Sequence, residues 1–541
     1  MDSSMKKQAL SLLSLPVLGF ALAGLIVTKI IYAFFFHPLR HIPGPALAKV
    51  TDIWHLYHCW GGKRHHVLVA LHKKYGPYVR VGPNMVSTNS SSAIPAIYAA
   101  GAPALKSPFY GAFAPGMPSS FTTNDKLYRN KKQILSAAFA PRKLESMEPL
   151  IRQHIDTFCE TIATAGKVDI AVMLGSLSID VLSDLCFGKC FNTMNNVQER
   201  DRILEAMEKS VELVIRVSTP QLQPRAHKLT SLQEGTMHKW PRAVWKVLHS
   251  KEKVMKRGYV YQVCLSCSRL HSLILTIPRI KKAAEAMMEQ MNRKSEREDF
   301  FTNILQARHP ETGLPYPKPE LMGEAILLLS VLLRLMNPMY SVAGSDTTST
   351  ALTVILWHLL ANPKTMEKLT AEIRGNFKST DEIKYQTLQG LPYLHSVIEE
   401  GLRICPPNPG LIPRMVVDRA PGHLAIDGRI FPPGTEIGVC NMSLHHNPLY
   451  FDDPDNFIPE RWMPDSNIKC DKAAFSPFSY GPRSCLGRNM AYMEMSLTLA
   501  LLVFRVKLSF GDHAKEMNAG FDVEDAFVAI KPSVPVRVTR A

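Results

Sequence analysis

One of the ten cysteines in this chain of 541 residues stands in unusual company. Cys485 lies in Phe478-Ser-Tyr-Gly-Pro-Arg-Ser-Cys-Leu-Gly487, wrapped in two glycines, an arginine and an aromatic residue. A buried structural cysteine needs none of these neighbours; a thiolate held against a metal does, because the thiolate is the binding form and must be kept from protonation. The following run, RNMAYMEMSLTLALLVF, predicts an apolar helix of about four turns. Its unpaired N–H groups and positive dipole end would lie beside Cys485. Gly481 and Gly487 let the backbone approach a flat cofactor with no Cβ in the way. Arg483 supplies a charge suited to a carboxylate, and Phe478 can cover the sulfur. The loop suits the presentation of one axial thiolate to a metal in a flat cofactor.

Three more groups carry chemistry. Glu400 and Arg403 share a face of a helix predicted over Pro392–Ile404, opened by proline and stopped by Pro406-Pro407. Asp346-Thr347-Thr348 sits within the apolar run VAGSDTTSTALTVILWHLLANP, where buried Asp and Thr are costly unless used or exposed. These are either working groups or the cap of a broken helix, and Ala343-Gly344 leaves room for a ligand above them. Finally, SPFYGAFAPGMPSSF, residues 107–121, gathers Phe109, Tyr110, Phe113, Met117 and Phe121. With Leu411, Ile412 and Phe527 these residues form either an apolar pocket wall or a loop packed onto the core.

Phe-x-x-Gly-x-Arg-x-Cys-x-Gly, filled at every fixed position, resembles the haem-binding signature of the cytochrome P-450 family. The other motifs follow in that family's order across roughly residues 42–541. By resemblance, Cys485 is the axial ligand of haem b, whose thiolate coordination favours O–O cleavage. Phe478, Gly481, Arg483 and Gly487 complete the cofactor loop. Glu400 and Arg403 join Arg461, from Phe457-Ile-Pro-Glu-Arg-Trp462, in a buried structural lock. Asp346 and Thr347 would relay protons for oxygen activation, and Arg414 would meet a haem propionate. Tyr128-Arg-Asn-Lys-Lys132 occupies the place of a Trp/His-x-x-x-Arg motif but departs from it at both anchors. Lys132 either pairs with a propionate as a point charge or belongs to a basic face that docks a reductase.

The resemblance implies a mainly α fold with small β-sheets. Its function would be a monooxygenase that hydroxylates or epoxidises a hydrophobic small molecule, such as a terpenoid, polyketide or alkaloid intermediate of fungal secondary metabolism. Dioxygen and NADPH-derived electrons would arrive through a flavoprotein reductase. The alternatives are a haem-thiolate isomerase or dehydratase needing no external electrons, against which Asp346-Thr347 argues, and a catalytically inactive haem-binding membrane protein.

These groups need a scaffold and a location. Residues 10–36, nearly free of charge, are long enough for one membrane-spanning helix and lack a small-residue cleavage site. Ile42-Pro-Gly-Pro45 then forces a stiff turn into a single catalytic domain, residues 37–541. Flanking charges are nearly balanced, so orientation rests on the resemblance: endoplasmic reticulum, with the domain facing the cytosol. Irregular cysteine spacing, Cys264-x-x-Cys267 included, fits reduced thiols rather than disulfides or zinc. The net charge of +16 suits a membrane surface or an acidic partner protein, or is simply a solvated basic surface. No nucleic-acid motif accompanies it. Two stretches break the pattern. Asn337-Pro338 interrupts the helix ahead of Ala343, and residues 330–341 read as an insertion such as a translated intron. Residues 219–275 are similarly irregular.

Overall fold

The computed structural model describes residues 17, 19–21, 23–113, 125–188, 190–198, 200–201, 308, 313–315, 344–418, 423–511 and 520–541. The stretches 219–275 and 330–341, together with Ala343, Met117 and Phe121, lie outside the described residues.

The chain enters through a helix long and apolar enough to cross a membrane, Gly19–Phe36, nearly all of whose surface is uncovered. Short helices α1 (Ala46–Val50) and α2 (Ile53–Trp60) follow, then α3 (Arg64–Tyr75). Next come β1 (Tyr78–Gly82), β2 (Met85–Thr88), α4 (Ala93–Tyr98) and β3 (Ala104–Lys106). Helices α5 (Asp125–Ala138) and α6 (Pro141–Ala165), strand β4 (Lys167–Asp169) and helix α7 (Ile170–Phe187) precede α8 (Ser345–Ala361) and α9 (Pro363–Asn376). Then follow α10 (Pro392–Ile404), β5 (Leu411–Val416), β6 (Leu424–Ile426), β7 (Arg429–Phe431), β8 (Glu436–Cys440) and α11 (Asn441–His445). Helix α12 (Arg488–Arg505) leads into β9 (Val506–Ser509), β10 (Glu524–Ala526), β11 (Val528–Ile530) and β12 (Pro535–Arg540).

The described part is helical with small sheets. Strands assemble as β1-β2-β8-β5-β3 and β4-β12-β9, beside hairpins β6-β7 and β10-β11. Within the larger sheet only β2 and β8 run parallel. The main core interleaves α6, α7, α8, α10 and α12.

α8 is apolar almost all round and therefore central: Leu352, Val354, Ile355, Leu356 and Leu359 are all buried. Two glycines let it fit tightly. A Cβ on Gly401 would collide with Ile355, so α10 and α8 cross at close range. A Cβ on Gly344 would sit 3.1 Å from Leu182 of α7. Gly344 therefore lets the start of α8 lie close to α7. α8 begins at Ser345, which puts Asp346 in its first turn rather than mid-helix. A carboxylate there is favoured by the helix dipole.

Candidate active site

The cysteine loop is held from several sides. Gly481–Arg483 forms a tight 3-10 turn, and the Cys485 N–H closes it by donating to the Phe478 carbonyl at 2.9 Å. Gly481 has φ +69°, and a Cβ there would strike the Tyr98 carbonyl at the end of α4. That glycine is demanded by its backbone conformation and by the close approach of the Tyr98 carbonyl. Gly487 is different. It caps α12, and a Cβ there would meet only Cys485 Sγ, at 3.9 Å. The missing side chain leaves space beside the sulfur.

From α5, Tyr128 Oη and Lys132 Nζ both donate to the Pro482 carbonyl, each at 2.6 Å. The Arg483 guanidinium lies over the Tyr128 ring, 3.3 Å from its centroid. Lys132 thus turns toward the loop, and partial burial followed by nearby Arg483 lowers its pKa. Tyr128, a departure from the motif in the sequence, joins Lys132 in fastening α5 to the loop. Behind it, buried Arg414 in β5 donates to Tyr110 Oη at 2.8 Å and faces the rings of Tyr98 and Tyr110. Arg414, Arg483 and Lys132 thus form one cationic cluster bridged by tyrosines.

Cys485 has an open surface. Even so, burial in the surrounding protein is the first cause raising its thiol pKa, against the Gly487 N–H and Arg488. The thiol lies beside the N-terminus of α12. The helix end does not by itself make a thiolate here; a bound metal would do so outright. Phe478 packs 5.3 Å from the Tyr492 ring, with its carbonyl committed to Cys485.

The expected aromatic group divides. Phe109 and Phe527 pack at 5.3 Å between centroids, and Phe527 occupies the left-handed turn of the β10-β11 hairpin at φ +70°. Tyr110 is buried in the cationic cluster, so its hydroxyl is structural. Leu411 is buried with Leu68, Val79 and Met442 between the sheet and α3. Its neighbour Ile412 is half-buried and gives its carbonyl to Tyr98 Oη at 2.7 Å. Phe113 ends the 3-10 turn Pro108–Phe113. On α8, Asp346 and Thr347 are half-buried. The Asp346 carbonyl accepts from Ser349 Oγ at 3.2 Å, and Ser349 Oγ accepts from Lys531 Nζ at 3.0 Å.

Glu400, Arg403 and Arg461 meet with no exposed side-chain surface. Arg403 grips Glu400 with two bonds of 2.8 Å, and Arg461 Nε adds a third at 3.1 Å. The Ile458 N–H and Trp462 Nε1 each donate to the same carboxylate at 2.8 Å. Excess positive charge is taken up by carbonyls of His445, Pro454 and Asn456 on Arg403, and of Asp452 and Asp453 on Arg461. Every donor is satisfied in a buried cluster, the condition under which such charges are tolerated. The indole as a direct partner was not foreseen, although Trp462 at an aromatic position was its sequence signal.

Comparison with known proteins places this geometry. The model of the family described as Cytochrome P-450 matches residues 43–259 and 279–531. The match is interrupted at 260–278, overlapping the end of the irregular stretch, and runs unbroken across 330–341. The cytochrome P-450 monooxygenase traB of Penicillium crustosum is 31% identical over 96% of this chain and 96% of its own length. The monooxygenase ORF9 of Penicillium roqueforti is 30% identical over 94% of this chain and 90% of its own. The monooxygenase aclL of Aspergillus oryzae is 29% identical, covering 95% and 97%.

Proposed function

Because this chain belongs to the cytochrome P-450 family of haem-thiolate monooxygenases, we propose that it hydroxylates or epoxidises a hydrophobic small molecule, a biosynthetic intermediate of fungal secondary metabolism. Dioxygen is the co-substrate, and electrons come from NADPH through a flavoprotein reductase. The apolar helix Gly19–Phe36 anchors the enzyme to the endoplasmic reticulum with residues 37–541 in the cytosol.

The residues present suit haem. The Cys485 thiol has an open surface, and the side of the loop at Gly487 carries no Cβ to obstruct it. Arg414, Arg483 and Lys132 supply charges for the two propionate carboxylates. When bound, haem iron with a thiolate ligand supplies the dioxygen-cleaving chemistry. The remaining tasks fall to the chain. The Phe478 carbonyl, Tyr128 and Lys132 fix the backbone that presents the sulfur. The lock at Glu400 holds the segment before that loop. Asp346 and Thr347 pass protons from the first turn of α8. Phe109 and Phe527 offer an apolar surface to substrate and help exclude water.

The observation that carries this reading is Cys485, clamped by its loop with an open sulfur surface. The purified, dithionite-reduced protein with carbon monoxide should give the red-shifted Soret absorption of thiolate coordination, and Cys485→Ala should lose it. A spectrum unchanged in that variant overturns the assignment. Reconstitution with reductase and NADPH should then yield oxygenated product. Rearranged product without NADPH would instead mark an isomerase, and no product from any extract of the producing organism an inactive relative.

A further inference from the structure

A second cluster of ligating side chains lies outside all the machinery above. At the start of α3, the rings of His65 and His66 lie 4.0 Å apart between centroids, tilted by 38°. Asp522, just before β10, reaches back to them across the chain, with Oδ1 2.7 Å from His66 Nε2. One ring nitrogen of His65, one of His66 and one oxygen of Asp522 all lie within 4.8 Å of one another. His65 is wholly buried, and neither of its ring nitrogens has a hydrogen-bond partner. Two orphaned nitrogens on a buried ring are costly, and such a group asks for an explanation.

We propose that His65, His66 and Asp522 bind a divalent transition-metal cation of the zinc class. Two imidazoles and a carboxylate match the preferences of such ions, and water would complete the coordination. The buried His65 ring brings an unpartnered nitrogen to the same point as a His66 nitrogen and an Asp522 oxygen. Asp522 also holds Lys63 by a hydrogen bond from its ammonium group. Lys63 Nζ now lies 2.5 Å from Asp522 Oδ2, and its half-exposed side chain must swing out when the ion enters. The cation would join α3 to the segment leading into the β10-β11 hairpin that carries Phe527. The buried Arg64–Asp525 pair lies next to this site, at 2.9 Å.

The test uses full-length holoenzyme with any affinity tag removed, stripped with EDTA and dialysed. Titration with zinc chloride in a calorimeter should show one equivalent per chain, with magnesium chloride giving none. Loss of an outer-shell partner alone weakens metal sites about 10- to 100-fold, so His66→Ala and Asp522→Asn should each weaken zinc binding by at least about tenfold. Both residues are exposed, so both variants should fold, with the carbon monoxide spectrum as the check. His41→Ala, an exposed histidine elsewhere, should bind like the parent. Absence of a stoichiometric site, or equal affinity in the His66 and Asp522 variants, overturns the proposal. Neither result bears on the haem assignment, which the spectrum reads separately.

Discussion

At Pro482 a single carbonyl accepts from both a tyrosine and a lysine, and this small fact explains why α5 tolerates such unusual anchors. A long side chain with a terminal donor suffices to hold the loop, and the cation need not be an arginine. Asp346 makes a sharper claim. General acid–base groups contribute about 10²- to 10⁴-fold, so Asp346→Asn should cut product formation about 10²-fold while the carbon monoxide spectrum and NADPH consumption persist. Equal product per NADPH in the variant would remove Asp346 from the proton path. Glu494 bears on stability instead. It is buried in α12, accepts from Ser178 Oγ at 2.6 Å, and burial lifts its pKa to about 7. A carboxyl raised in the folded state binds more protons folded than unfolded, so stability falls as pH rises from about 4.5 to about 7. Glu494→Gln should flatten part of that fall, by about 3 kcal/mol at most. Urea midpoints at pH 5, 6, 7 and 8 measure it; an unchanged slope refutes it.

Between elements, the turn at Pro43-Gly-Pro45 is more than a stiff exit from the apolar helix. Buried Arg80 in β1 donates to the carbonyl of Ala33 at 3.1 Å, to that of Lys49 at 3.3 Å, and twice to that of Pro83 at 2.7 and 3.1 Å. The Arg80 N–H also takes the Pro43 carbonyl at 2.7 Å, and a Cβ on Gly44 would collide with the Arg80 carbonyl. One guanidinium thus ties the end of the apolar helix, α1 and the first hairpin together, at the cost of a pKa lowered by burial to about 10. Four bonds worth about 1 kcal/mol each are at stake. Arg80→Ala should therefore speed tryptic cleavage after Lys49 by about tenfold or more, with haem content retained. Cleavage at the parental rate would show that the clamp does not hold this region. The prolines announced a turn in the sequence. That an arginine some 35 residues later caps it did not appear there, because periodicity reports faces and not partners.

For the molecule as a whole, the apolar leader and the basic surface act together. Phe34, Phe35 and Phe36 are exposed at the end of the helix, and Leu47, Ile53 and Tyr57 are exposed on α1 and α2 just beyond. Lys49 stands over the Phe34 ring at 5.6 Å, among that apolar surface. Deletion of residues 1–36 should move the protein from the carbonate-washed membrane pellet largely into the supernatant at low detergent, with its carbon monoxide spectrum intact. Full retention in the pellet would assign anchoring to the globule instead. The net charge of +16 favours an anionic surface, so binding of the truncated form should weaken with salt.

The sequence alone determined what is covalently local. The cysteine loop, the three-residue spacing of Glu400 and Arg403, the apolar leader and the proline turn each carry their chemistry within one continuous stretch of chain, where backbone geometry dictates which groups meet. It also led to a mainly helical fold with small sheets. Tertiary structure alone decided which distant groups share a space. It set Tyr128 on Pro482, Arg80 under the leader, Asp522 beside His65, and Trp462 on Glu400. It also buried Leu411 against α3, bonded Tyr110 to Arg414, and set Gly481 against the Tyr98 carbonyl. The reason is physical: hydrophobicity reports that a residue is buried, but its neighbours follow from how helices and sheets stack, and a linear pattern does not encode that.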